Sequence, residues 1–227
     1  MEEFLLESKS YFYTDLIMAF CALFTSIVGF FLRKRHRSLK YMFLYPLASF
    51  LQIISFYFNF FHYKSNSMTA QNISILLFIL VELFCILYFY LLVLKKQRLK
   101  KVTILITVAY CSYAIYYASN NGVFFESSPQ FFLLQSFIIL LFAIFHLIDL
   151  FRDIPKSRLI DEPSFWVTIG VLQYFLCTIP MYAMIEFIFN KDGFVKEPYL
   201  YSINYIGYSV FFLLIIRAYL CKAPVKP

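Results

Sequence analysis

Seven apolar runs, each close to the ~20 residues that a helix needs to cross hydrocarbon, alternate along this chain with short charged connectors. They fall at approximately Tyr11–Leu32, Tyr41–Phe61, Asn72–Leu94, Val102–Ser119, Phe131–Phe151, Phe165–Phe189 and Tyr199–Cys221. The fourth is the shortest and most polar, carrying Tyr110, Ser112, Tyr113, Tyr116 and Tyr117. No connector is long enough to fold as a soluble domain. The pattern predicts an all-α polytopic transmembrane bundle of about seven helices, organised as a single transmembrane domain over residues 1–227.

Composition agrees with lipid as the outer solvent. Hydrophobic residues make up 62% of the chain and charged residues 15%, against ~45–50% and ~25% in soluble domains. A water-soluble globule of this size has too little interior to hide that much apolar surface. Thirty Phe and 19 Tyr against one Trp suit lipid contact and interfacial belts.

The charges that remain are sorted by connector. Arg33–Lys40 and Lys95–Lys101 hold five Lys or Arg each, the Arg152–Pro163 connector three, and the C-terminal tail two. The opposite set, made of the N-terminal tail and the even connectors, holds four in all. Fifteen against four is a strong positive-inside bias, and it predicts a cell-membrane protein with its N-terminus outside and its C-terminus cytoplasmic. An even number of spans would break the alternation. Glu2, Glu3 and Glu7 precede the first run where a signal peptide would carry basic residues, so that run is read as a retained span.

The formal net charge of +7 is explained by this sorting, and nucleic acid is not an expected partner: no basic, aromatic-interleaved soluble face exists to bind it. The expected partners are membrane lipids and, for a signalling role, another membrane protein or a cytoplasmic one. Cys21, Cys85, Cys111, Cys177 and Cys221 are scattered through the apolar runs without a CxxC pair, which indicates neither a disulfide framework nor a zinc site. No GxSxG elbow, HExxH, P-loop or Gly-rich dinucleotide turn is present, and the last run lacks the internal lysine of a retinal protein. No cofactor and no catalytic residue is expected.

Ionisable and amide groups inside the runs are the candidate functional residues, because a charge at a helix centre costs ~2.5–3.5 kcal/mol on insertion scales. Glu82 lies near the middle of the third run with no Lys or Arg beside it. Its partner comes from another helix, or it carries a proton. It is read as a proton carrier, a ligand anchor or interhelical glue. Gln52, Gln135, Gln173 and Asn204 are placed at similar or somewhat more outward depth, and Glu186 near the outer end of the sixth run. Together they suggest a polar layer opening outward. Pro180 falls inside the sixth run, as a hinge or a static kink. His146 and Asp149, spaced i, i+3, share a helix face and are the weak candidates for a metal or acid–base site. An Asp149–Arg152 pair is the simpler expectation. Gly170 and Gly207 are read as points of close helix approach.

Arg37-Ser38-Leu39-Lys40-Tyr41 before the second run, Glu82 in the third and Pro163-Ser164-Phe165-Trp166 before the sixth make the chain resemble the small, uncharacterised seven-span membrane proteins and sensor-kinase membrane domains of bacteria. The resemblance implies a receptor-like, sensory or accessory membrane component. With no kinase domain in these 227 residues, a signal would pass to a separate protein. The alternatives are a small-solute or proton-coupled transporter and a membrane-embedded enzyme acting on lipid.

Overall fold

The computed structural model describes residues 2–62, 67–121, 129–153, 156–184 and 198–221. Among them all regular structure is helical: α1 (Glu2–Leu32), α2 (Leu44–His62), α3 (Ser67–Val93), α4 (Gln97–Asn121), α5 (Pro129–Asp153), α6 (Pro163–Ala183) and α7 (Pro198–Leu220), with 3₁₀ turns at Arg37–Leu39 and Lys156–Asp161. Among the described residues, four stretches are long and apolar enough to cross a membrane: Tyr13–Leu32, Phe132–Arg152, Pro163–Ala183 and Ile203–Leu220. Leu77–Val93 is a shorter apolar helix.

Local chemistry explains the helix starts. α5, α6 and α7 each open on proline, whose missing N–H costs nothing at a first helical position and whose fixed φ suits it. Pro46 likewise sits in the first turn of α2. α6 ends at Ala183, where the Met184 N–H returns to the Pro180 carbonyl at 3.0 Å. Pro180 therefore stands in the last turn of α6 and not at its middle, and the sixth helix stops short of the Phe189 expected from hydropathy. Ile185, Phe187, Ile188 and Phe189 continue the apolar run past Met184 around the single charge of Glu186, so hydropathy carries little signal for that end. Proline supplies one, since it leaves the Leu176 carbonyl without its usual donor.

α7 packs most extensively on α6 and α1, α5 packs on α6 and α3, and α2 on both α1 and α3, so that six helices close a ring. α4 touches its neighbours α3 and α5 sparsely. The core is aromatic. Tyr45 lies against Phe211 and Phe212 at centroid distances of 5.6 and 5.8 Å, and Tyr174 stacks on Phe211 at 5.6 Å. Gly170 makes this possible, because a Cβ there would stand 2.6 Å from a Phe211 ring carbon. At Gly207 the nearest atom would be 3.4 Å away, an ordinary contact.

Large apolar side chains face outward from the bundle. Phe20, Leu105 and Phe31 are 69%, 70% and 77% exposed, and half or less of each candidate span is buried inside the bundle. Eight hydroxyls inside the helices bond to their own backbone: Thr25, Ser26, Ser49, Thr107, Ser136, Thr168, Thr178 and Ser209 each lie 2.6–3.2 Å from the carbonyl four residues earlier. This is how such groups are accommodated where water is absent.

The basic connectors converge at one end of the bundle. His36 Nε2 lies 3.1 Å from the Cys221 carbonyl, and the Tyr219 hydroxyl donates to the Leu39 carbonyl at 2.8 Å. These contacts pin the end of α7 to the α1–α2 connector. Trp166 donates its indole N–H to the Ile160 carbonyl at 2.7 Å, and Arg217 lies over the Trp166 ring. Lys96 of the α3–α4 connector pairs with Asp149 of α5 at 3.2 Å.

Candidate functional site

Glu82 sits on the inward stripe of α3 with Phe78, Cys85, Ile86 and Phe89, all buried, at the i, i+3, i+4 spacing that places side chains on one helix face. It is only 4% exposed. Gln135, on the corresponding stripe of α5, donates its amide to Glu82 Oε2 at 2.8 Å. Tyr110 of α4 donates its hydroxyl to Gln135 Oε1 at 3.0 Å. Three helices are thereby joined by one side-chain relay that ends on a carboxyl group. Because Tyr110 occupies the Gln135 carbonyl oxygen, the amide nitrogen is the end left to face Glu82.

The second oxygen, Oε1, has no hydrogen-bond partner among the described residues, although it is fully enclosed. Glu82 also lines a small cavity shared by α3, α5, α6 and α7. The cavity measures about 10 Å³, close to the room of one water. It is lined by six aromatic residues, Phe78, Phe132, Tyr174, Phe175, Tyr182 and Tyr208, together with Gln135, Ser136 and Thr178. Phe132 and Tyr182 stack at 4.6 Å, nearly parallel at 13°, and form the wall on the side where α5 begins and α6 ends. Tyr45 of α2 lies within electrostatic reach of Glu82, without a hydrogen bond of ordinary geometry to it.

Of the residues singled out from sequence, the structure brings Glu82 and Gln135 into direct contact and places Asn204 one link away. The Thr178 hydroxyl lies 2.9 Å from the Tyr174 carbonyl and 3.0 Å from Asn204 Oδ1, and its single proton serves one of the two at a time. Gln173 and Gln52 do not border the cavity. Gln173 points its amide at Cys177 Sγ, 3.7 Å away and beside Gly207, and its Oε1 is buried without a partner. Gln52 is half-buried on α2. Glu186 lies outside the described residues.

His146 and Asp149 do share a face of α5, four and seven residues beyond the buried Phe142, but they do not assemble a site. His146 stands edge-on to Phe89 and Tyr90, with neither ring nitrogen hydrogen-bonded. Asp149 is paired with Lys96, which takes the place expected for Arg152. Among the described residues no three His, Cys, Asp or Glu side chains gather as metal ligands.

Sequence reasoning missed the cavity walls and the part played by Tyr110. An aromatic residue in an apolar helix has no pattern that separates a cavity wall from core. Thr178 carries a weak signal, as a hydroxyl on a helix that also offers a mid-helix amide. Comparison with protein-family models, with curated proteins and with solved structures finds no match to this chain.

Proposed function

We propose that this chain is a receptor-like or accessory multi-pass membrane protein in which the Glu82 site sets how the helices pack. Its seven helices cross the cell membrane with the N-terminus outside and the C-terminus in the cytoplasm. Four spanning-length apolar helices and the apolar outward surface support membrane residence. The gathering of basic connectors at one end supports that orientation, since basic connectors are retained on the cytoplasmic side. Membrane lipids surround it, and its signalling partner is a second membrane or cytoplasmic protein.

One observation carries the reading: a buried relay, Tyr110–Gln135–Glu82, joins α4, α5 and α3 and ends on an unpartnered oxygen beside a cavity of about 10 Å³. Solute pockets usually measure ≈ 300–1,000 Å³, so this one suits a state-setting contact better than a solute route. A change in occupancy or charge at Glu82 alters contacts of four helices at once, which is what a population shift requires.

The test places spin labels at Phe84 and Leu176, exposed positions on α3 and α6, in a cysteine-free background. Glu82→Gln should change the distance distribution between them while the protein stays folded. An unchanged distribution with lowered thermal stability would reduce Glu82 to structural glue. Reporter fusions at the two chain ends test the orientation.

The unpartnered Glu82 oxygen also favours a second reading, a proton-coupled carrier in which Glu82 loads and releases a proton. Proteoliposomes without pH-dependent flux would remove it. A lipid-acting enzyme requires His146, Asp149 and a further acid or base to meet within ~3 Å, and the unpartnered His146 nitrogens give that reading no support.

A further inference from the structure

We infer that the Glu82 cavity binds a desolvated monovalent cation of about water's size, ammonium or potassium, between the carboxylate and the surrounding ring faces. The inference rests on the reading of Glu82 as an interior site of a membrane protein and names what that site holds.

Three observations converge on it. Glu82 is more than nine-tenths buried, it lines the cavity, and its Oε1 has no hydrogen-bond partner of ordinary geometry among the described residues. A buried carboxylate with no compensating charge is costly enough that it either takes a cation or a proton. A proton would be shared between Oε1 and the neighbouring Tyr45 hydroxyl, so the cavity walls decide between the two.

The walls then select the guest. Six aromatic residues line the cavity beside Glu82, and aromatic ring faces attract cations through their quadrupole, by ≈ 2 kcal/mol or more where water is excluded. They offer nothing comparable to a neutral water. The Ser136 hydroxyl gives its proton to the Phe132 carbonyl at 2.6 Å, and the Thr178 hydroxyl gives its own to the Tyr174 carbonyl or to Asn204 Oδ1, which leaves the lone pairs of both as acceptors. Acceptors, a carboxylate oxygen and ring faces suit a positive guest with several donors or a spherical charge.

Size and hydration choose among cations. Room close to that of one water admits ammonium or potassium and excludes tetramethylammonium. Sodium and other strongly hydrated ions lose more by shedding water than ring faces return.

The experiment uses the full chain purified in detergent. Its thermal unfolding is followed while ammonium, potassium, sodium or tetramethylammonium chloride is added at constant total ionic strength. Ammonium and potassium should raise Tm saturably, by about 3–6 °C at ten times Kd, with sodium weaker and tetramethylammonium inert. Glu82→Gln should abolish the ion dependence. If that variant does not fold, Ser136→Val, which narrows the cavity and keeps the carboxylate, should weaken it instead. Equal responses to all four salts in the unsubstituted protein would overturn the inference and leave a proton as the partner of Glu82. So would a shift from tetramethylammonium as large as that from ammonium. Failure of the underlying membrane reading is seen separately, as a chain that stays monodisperse without detergent.

Discussion

Gln135 stands 53 residues beyond Glu82 and yet spends its amide on that carboxyl group at 2.8 Å, while Tyr110 holds the other end of the same amide at 3.0 Å. Removing the middle of such a chain leaves two buried groups unpartnered, whereas removing the end leaves one. Gln135→Leu should therefore lower stability by about 1–3 kcal/mol, and Tyr110→Phe by about 0.5–1.5 kcal/mol. Thermal denaturation of the two variants in one detergent checks the order. A Tyr110→Phe loss equal to or larger than that of Gln135→Leu contradicts the relay.

The two glycines facing across α6 and α7 should behave differently. Gly170→Ala drives a methyl to within 2.6 Å of the Phe211 ring, an overpacking that typically costs about 1–3 kcal/mol. Gly207→Ala meets only an ordinary contact at 3.4 Å and gains helix propensity of up to ~1 kcal/mol. Melting temperatures should move in opposite directions.

At the basic end, Tyr219→Phe deletes the donor to the Leu39 carbonyl without changing shape. The cost should be about 0.5–1.5 kcal/mol, felt locally as opening of the Arg33–Lys40 connector. Trypsin should cut that connector several-fold faster in the variant, since cleavage follows the open population when opening is rapid. Cleavage at the unchanged rate would mean that the docking of α7 is held elsewhere.

His146 offers a prediction that separates packing from chemistry. Both its ring nitrogens are buried without partners between Phe89 and Tyr90. His146→Phe keeps a ring there and removes two unpaired polar atoms, so stability should rise by about 1–3 kcal/mol. A loss of stability would show that a polar partner of His146 forms in the membrane.

How much of this was legible beforehand depends on which physical signal each feature leaves. Helix existence is written in hydropathy: the expected Tyr41–Phe61 and Tyr199–Cys221 runs lie within a few residues of α2 and α7. The end of α6 was not legible, because apolar residues continue past Ala183 and the break is a backbone matter at Pro180. Glu82 and Gln135 were found because a buried polar group in an apolar helix is expensive and therefore conspicuous. Their mutual contact was not, since pairing across helices depends on rotation about each axis. α4 shows the opposite case. Its tyrosines looked like weak span signals, and one of them, Tyr110, anchors the relay. Asp149 was given a neighbour in its own helix when its partner, Lys96, comes from a connector folded back over the bundle end.

The Phe132–Tyr182 stack leaves a further consequence. Two nearly parallel rings 4.6 Å apart admit no traffic between them. Exchange at Glu82 by that side must wait for the rings to part, and Tyr182 rides on the helix turn that Pro180 has already relieved of a backbone tie. Residence time at the carboxylate by that route would depend on how often that turn loosens as well as on how strongly an occupant is held.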